Sequence, residues 1–575
     1  MSAAEAQRAS ANWASTFWSS LSTCGLVLGT LFFVASLTPT LVPRTYETQG
    51  VLSGLCFAVG YGIGALGYRL WRYLELPEPR GRFLHTLRPI LASLCVLVAV
   101  AVLWQATEWQ NSIRKAMDLD PVASARPLQV SMIALVTFLV AIALARIFQF
   151  VFRAVAARLN RFLPRRVSLA VGFGVAVLLF WTIANGVLFR FAFHILDSSF
   201  KEYDALIEPE RSQPREPFKT GSTASLLKWN ELGRAGREYV SSGPSAADIS
   251  SVSGRSALEP VRVYVGLRAA ETVQQRAKLA LEELKRVHGF DRSILVVITP
   301  TGSGWVDPAA MDSVEFLHDG DLASVALQYS YLSSPLSLMV EPEYGAEAAR
   351  ALFVEVYRYW TTLPKASRPK LYVHGLSLGS LNSEKSVEVF ELLGDPINGA
   401  LWSGPPFENQ LWRSITDGRD PGSPAWLPRY GDGSLVRFVN QDGSNVPANA
   451  PWGVMRIVYL QYASDAVTFF DYRDLYRRPA WMIGPRGPDV SPELRWYPVV
   501  TMLQLGLDMA MATTTPMGYG HVFAPEHYLD AWIAISDAGA WSPDQIAELK
   551  RYLAQKAASS RTAVGEESAG ANRGG

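Results

Sequence analysis

Cysteine is scarce in this chain of 575 residues, and its distribution is more telling than its count. Cys24, Cys56 and Cys95 all fall in the first third, and the rest has none. That excludes a disulfide framework, a cysteine metal site and a cysteine nucleophile from the last two-thirds. Charge of a single sign is lacking too: 53 basic residues stand against 52 acidic ones, a net charge of +1. With no basic stripe interleaved with aromatics, no nucleic-acid partner is expected. No H-E-x-x-H occurs and the histidines are scattered, so neither a metal nor a cofactor is expected. Gly302 and Gly304 are not followed by G-K-[ST], which removes a phosphate loop.

Apolar residues are in excess, at 49%, and they gather in the first third. Five windows there, 21–42, 51–71, 89–106, 128–149 and 167–189, are long and apolar enough for a bilayer crossing of about 20 residues. Their rare charges, Arg69 and Arg146, lie near window ends, where a long side chain reaches the interface. The first window has no small-residue cleavage site behind it and is read as retained. Arg69, Arg72, Arg80, Arg82 and Arg88 cluster around the second connection. Arg146, Arg153, Arg158, Arg161, Arg165 and Arg166 cluster around the fourth. The other two connections carry only Arg44, Arg114, Lys115 and Arg126. By the positive-inside rule the arginine-rich pair is cytoplasmic. Five spans then predict a multi-pass cell-membrane protein, in contact with the lipid bilayer, whose chain beyond about residue 190 is extracytoplasmic.

The sequence divides into a transmembrane domain over 1–190, a connector over 191–257, a catalytic-type domain over 258–555 and a disordered tail over 556–575. Pro, Ser, Gly and charge dominate the connector, although "SLLKWNELGRAGREYV" has helical spacing. The tail lacks large apolar residues. From residue 259 strands and helices alternate. Strands are predicted at 261–267, 293–300, 370–375, 399–404 and 455–462, and helices over 269–290 and near 346–363. "SILVVITP" is a β-branched run suited to a strand buried on both faces. The alternation predicts a doubly wound, mostly parallel α/β sheet behind the membrane helices.

The chemistry gathers at Gly375-Leu376-Ser377-Leu378-Gly379, a G-x-S-x-G. A serine between strand and helix sits on a sharp turn, and the residues two before and two after must be small for the backbone to pass. Ser377 is therefore a candidate nucleophile, with a tight structural turn as the alternative. A serine hydroxyl needs a base. Only His521 and His527 follow Ser377 among the seven histidines. His521, in the glycine-flanked "MGYGHVF", is preferred over His527 at the start of a terminal helix. An acid that orients the imidazole belongs after a later strand. Asp465 in "QYASDAV" fits, ahead of Asp471, and helix N-capping is its alternative role. For an oxyanion, Leu378 offers the backbone amide after the nucleophile. The loop "TPTGSGW" offers a second, at Gly302 or Ser303.

"HGLSLGS", "SDAV" and "GYGH", in that order, resemble the nucleophile, acid and histidine of the α/β-hydrolase superfamily. More narrowly, the chain resembles a family of bacterial membrane proteins pairing a multi-span region with a C-terminal α/β-hydrolase domain. "SLTPTLVPR" (36–44), "GSTASLLKWNELGRAGREYV" (221–240) and "TPTGSGWVDP" (299–308) carry that likeness, which covers nearly the whole chain. It implies a serine-hydrolase site at Ser377, Asp465 and His521 and supplies no substrate. No HGGG-type run is present, so an oxyanion hole of that kind is not implied.

The segments 405–454 and 477–512, rich in Trp, Pro and Gly, occupy positions suited to lids or substrate walls. The apolar "VVTMLQLGLDMAMATT" before the histidine suits a lipophilic acyl or aryl group. The expected function is a membrane-anchored serine hydrolase of esterase, lipase or thioesterase type, working through an acyl-enzyme. An acyltransferase with the same triad and a non-catalytic membrane sensor or scaffold are the competing readings. A transporter is disfavoured because the spans have almost no ionisable residues near their centres.

Overall fold

In the computed structural model, residues 21–77, 82–183, 204–208, 211–332, 334, 336–337, 343–387, 394–447, 449–538 and 541–571 are described. The chain forms two units, and it visits the first of them twice. Unit 1 is Met1–Phe191 with Phe470–Met511, and unit 2 is Ala192–Phe469 with Ala512–Gly575.

Unit 1 is helical: α1 (Thr23–Ser36), α2 (Tyr46–Tyr73), α3 (Arg82–Ala116), α4 (Pro127–Leu159) and α5 (Arg165–Trp181). Among the described residues three helical stretches are long and apolar enough to cross a membrane, Tyr46–Tyr73, Leu87–Ala116 and Pro127–Leu159. Of the five expected spans, these support the second, third and fourth. The first window ends early because α1 stops at Ser36, giving way to the turn around Thr38-Pro39-Thr40 that proline favours. The fifth window yields a 17-residue helix, and its residues 184–189 lie outside the described residues. Large apolar side chains on α3 and α4, among them Leu97, Trp104, Leu128 and Met132, face outward. An aqueous surface tolerates few such patches.

The returning segment 470–511 contributes α14 (Val500–Ala510) to this unit, with Val500 packed beside Leu52 and Cys56. The "SLTPTLVPR" stretch is buried there rather than looped out. Arg44 Nη2 lies 2.6 Å from Asp508 Oδ1, both side chains being almost wholly buried. Leu41 N–H donates to Asp508 Oδ2 (3.0 Å), and Gln504 donates to the carbonyls of Ala35, Ser36 and Thr38. A buried carboxylate is tolerable only with such a full set of partners.

Unit 2 begins with α6 (Gly233–Ser241) and α7 (Ala246–Ser253), inside the stretch expected to be a connector. They are part of the fold: Tyr239 Oη hydrogen-bonds Ser324 Oγ at 2.7 Å, and Arg262 Nη1 donates to Tyr239 O at 2.9 Å. A seven-stranded sheet follows, in the order β1-β3-β2-β4-β5-β7-β6, every pair parallel. The strands are β1 (Val261–Val265), β2 (Ile294–Thr299), β3 (Leu322–Leu327), β4 (Lys370–Leu376), β5 (Gly399–Ser403), β6 (Val436–Val439) and β7 (Arg456–Leu460). The connecting helices are α8 (Val273–Arg286), α9 (Pro308–Leu317), α10 (Tyr344–Thr362), α11 (Leu378–Ser386), α12 (Gln410–Asp417) and α13 (Ala466–Phe469). Helices α15 (Pro525–Ser536) and α16 (Pro543–Ala571) close the chain.

Sheet residues are almost uniformly buried, as parallel strands covered on both faces require. Two strands escaped the sequence reading, β3 and β6. The segment 405–454, read as lid or wall, supplies β6 at the sheet edge. The tail read as disordered continues α16 through Ala571, in keeping with its alanine and glutamate content.

Candidate active site

Strand β4 ends at Leu376 and α11 begins at Leu378, so Ser377 alone makes the turn. Its backbone sits at φ 56°, ψ −127°, a region that L-residues with a side chain rarely occupy. The turn is held on both sides. Ser377 N–H donates to Ser403 O at 2.9 Å, and Ser377 O accepts from Ser380 N–H at 2.8 Å. The flanking glycines are there for space. A Cβ on Gly375 would lie 2.4 Å from Gly379 O, and one on Gly379 would lie 2.3 Å from Thr299 O. Those are backbone atoms, which cannot swing aside as a side chain can. The spacing read from the sequence is thus a steric requirement of this turn.

Strand β7 leads to Asp465, which is fully buried. Its carboxylate makes two sets of contacts. It caps α13, with Oδ1 accepting from Val467 N–H at 2.9 Å and Oδ2 accepting from Thr468 Oγ1 at 3.1 Å. The same Oδ2 lies 2.7 Å from His521 Nδ1. The loop bearing His521 is braced by His521 N–H to Ala512 O (3.0 Å) and Gly520 N–H to Ser464 Oγ (2.8 Å), the latter tying it to the residue before Asp465.

His521 Cε1 packs against Gly404, where an added Cβ would meet it at 2.5 Å. Gly404 directly follows Ser403, the residue whose carbonyl holds Ser377 N–H. The imidazole and the serine turn therefore flank the same end of β5. His521 Nε2 is buried and has no hydrogen-bond partner among the described residues. The expected bond to Ser377 Oγ is not formed, and such bonds are often long until substrate binds.

The alternatives are committed elsewhere. Tyr462 Oη accepts from Ala524 N–H (3.1 Å) and shares its proton with His527 Nδ1 (2.6 Å), which makes His527 a bracket for α15. Asp471 caps a 3₁₀ turn through Arg473 N–H.

For an oxyanion, Leu378 N–H opens α11 and has no acceptor within that helix. The second loop is firmly built: Tyr264 Oη donates to Gly304 O at 2.7 Å, and Thr301 N–H donates to Trp305 O at 3.0 Å. It also separates the two expected amides. Gly302 N–H donates to Ser334 Oγ at 3.1 Å, whereas Ser303 N–H has no acceptor among the described residues. Ser334 was invisible to the sequence reading, since no motif singles it out.

A parallel sheet in this order, with a strained serine leaving a central strand and a histidine on a late loop, defines an α/β-hydrolase fold. The comparison of sequences agrees. The chain belongs to the alpha/beta-hydrolase family, whose family model matches residues 261–549, and the model of the alpha/beta-hydrolase family N-terminus matches residues 37–244. No match was found among curated proteins or among solved structures.

Proposed function

We propose that this protein is a membrane-anchored serine hydrolase, with Ser377 as nucleophile, His521 as general base and Asp465 as the acid that orients it. One observation carries the reading: Asp465 fixes Nδ1 of His521 and leaves the buried Nε2 unpartnered beside the β5 end that also holds the serine turn. Nε2 takes the Ser377 proton as Oγ attacks an acyl carbonyl, and the tetrahedral oxyanion is received by Leu378 N–H. The leaving group collects the proton from His521, and water repeats the sequence to release the acid. Ser303 N–H is the candidate second donor, since the Gly302 N–H is taken by Ser334. The substrate class is a lipophilic ester, thioester or amide. Labelling with a fluorophosphonate tests the assignment: wild type reacts and Ser377→Ala does not. A wild type that stays unlabelled while a control serine hydrolase reacts removes the enzyme reading.

The anchor is unit 1. Placing unit 2 across the membrane from the arginine-rich connections requires α5 to complete a crossing, and on this reading it does. Protease added to sealed cells then cleaves within 260–555. Protection until lysis places that region inside.

A further inference from the structure

Helices α2 and α4 are pressed together at one end and part toward the other. A Cβ on Gly50 would lie 2.6 Å from Ile133 Cβ, and one on Gly54 would lie 2.6 Å from Ala134 O, whereas Gly62 meets nothing within 4 Å. The parting opens a groove of about 960 Å³, floored by Ala58, Gly62, Ala65, Ala141 and Ala145 and ending in Arg69, Arg146 and Arg153. A second groove of about 660 Å³ shares Tyr61, Ala65 and Arg69 with the first and adds Arg72 and Arg88. Five arginines line the two, and among the described residues neither is lined by an aspartate or glutamate. Arg69, Arg88 and Arg153 have no ion-pair or hydrogen-bond partner among the described residues.

We propose that the first groove is a binding site for an anionic phospholipid, its phosphate held between Arg69 and Arg153 and an acyl chain lying along the alanine and glycine floor. The argument is one of charge and shape. Clustered guanidinium groups repel one another, and a phosphate relieves that while accepting their forked N–H donors. A trough of small apolar residues running away from the charge has no use for a bare ion, but it matches an amphiphile between membrane helices. The site is independent of the hydrolase reading, since none of its residues belongs to unit 2.

Native mass spectrometry of the full chain in detergent tests it, with phosphatidylglycerol and phosphatidylcholine of identical acyl chains as probes. Wild type is expected to retain phosphatidylglycerol in preference. Each arginine is worth about fivefold, so Arg69→Gln with Arg153→Gln weakens phosphatidylglycerol binding about 25-fold. Ala65→Trp fills the trough, keeps every arginine and also loses the lipid. Arg165→Gln with Arg166→Gln removes two basic charges outside both grooves and leaves binding unchanged. Equal retention of the two lipids by wild type overturns the proposal. So does wild-type binding by either groove variant, an equal loss in the Arg165/Arg166 control, or displacement of the lipid by millimolar inorganic phosphate. Circular dichroism confirms that each variant is folded before it is scored.

Discussion

Replacing Asp465 by asparagine separates its two jobs. The carboxylate accepts three hydrogen bonds, from Val467 N–H, from Thr468 Oγ1 and from His521 Nδ1. In Asp465→Asn the amide oxygen can keep the Val467 bond, and Thr468 can turn its hydroxyl to accept from the new NH₂. The cap then survives at a cost of about 1–3 kcal/mol for weakening bonds that were charge-assisted. His521 has no such choice. Its Nδ1 now faces a donor and must accept, which moves the ring proton to Nε2, the nitrogen that has to be bare to take the serine proton. Where this exchange has been made in a serine triad, the rate falls about 10⁴-fold, or about 5.5 kcal/mol of barrier. The assay is the second-order rate of fluorophosphonate labelling, with urea unfolding in parallel. Thr468→Val is the control, since it loses one cap bond and no contact to the imidazole. Folded Asp465→Asn reacting within tenfold of wild type would refute the reasoning.

Other outcomes follow from the same structure. Gly404→Ala places a methyl 2.5 Å from His521 Cε1 at a backbone φ of 49°, so labelling falls at least tenfold while most of the fold's stability remains. Unchanged labelling means that the imidazole is not confined as described. Burial pushes His374 and His318 down to about 4, so both stay neutral in the fold while the unfolded chain protonates below about 6.5. Stability that is whole above pH 6.5 therefore drains as pH falls toward 4. For His374 the loss between pH 7 and 5 is on the order of 2 kcal/mol, seen as a shallower pH slope of the urea midpoint in His374→Phe; equal slopes discard the assignment. Arg262 reaches Glu315 at 2.6 Å and Asp312 at 2.8 Å in a buried cluster. Its removal in Arg262→Ala strands Glu315 and costs about 3–5 kcal/mol in denaturant titrations, against under 1 kcal/mol for a surface pair.

What could be read from the sequence was whatever is decided locally. The glycines at 375 and 379 are demanded by atoms a few residues away or on the adjoining strand end, so their spacing is visible as a motif. His521 stands out from His527 because glycines surround it, and both Gly518 and Gly520 do occupy a positive φ. The sheet came through in its long β-branched runs. Its short strands did not: "LASVAL" carries two alanines and a serine, and "VRFV" lies in a stretch crowded with turn residues. Pairings between distant residues were hidden altogether. Nothing near Gly302 reports that Ser334 takes its amide, and nothing near Asp508 reports a guanidinium 464 positions earlier.

That last pairing bears on how the protein can be dissected. Cutting the gene near residue 258 to obtain a tractable hydrolase fragment would look natural from the order of the family matches. Yet the stretch between the acid and the histidine includes α14, whose Asp508 carboxylate is neutralised by Arg44 and whose Val500 is sheltered by Leu52 and Cys56. A fragment without the N-terminal helices carries that segment with its buried charge unanswered and its apolar side bare, so it is expected to aggregate. A better cut is internal: excise 470–511 and bridge Phe469 to Ala512 with a short flexible linker. Internal excision, rather than truncation, is expected to separate the two units, and soluble expression of the two fragments side by side checks it.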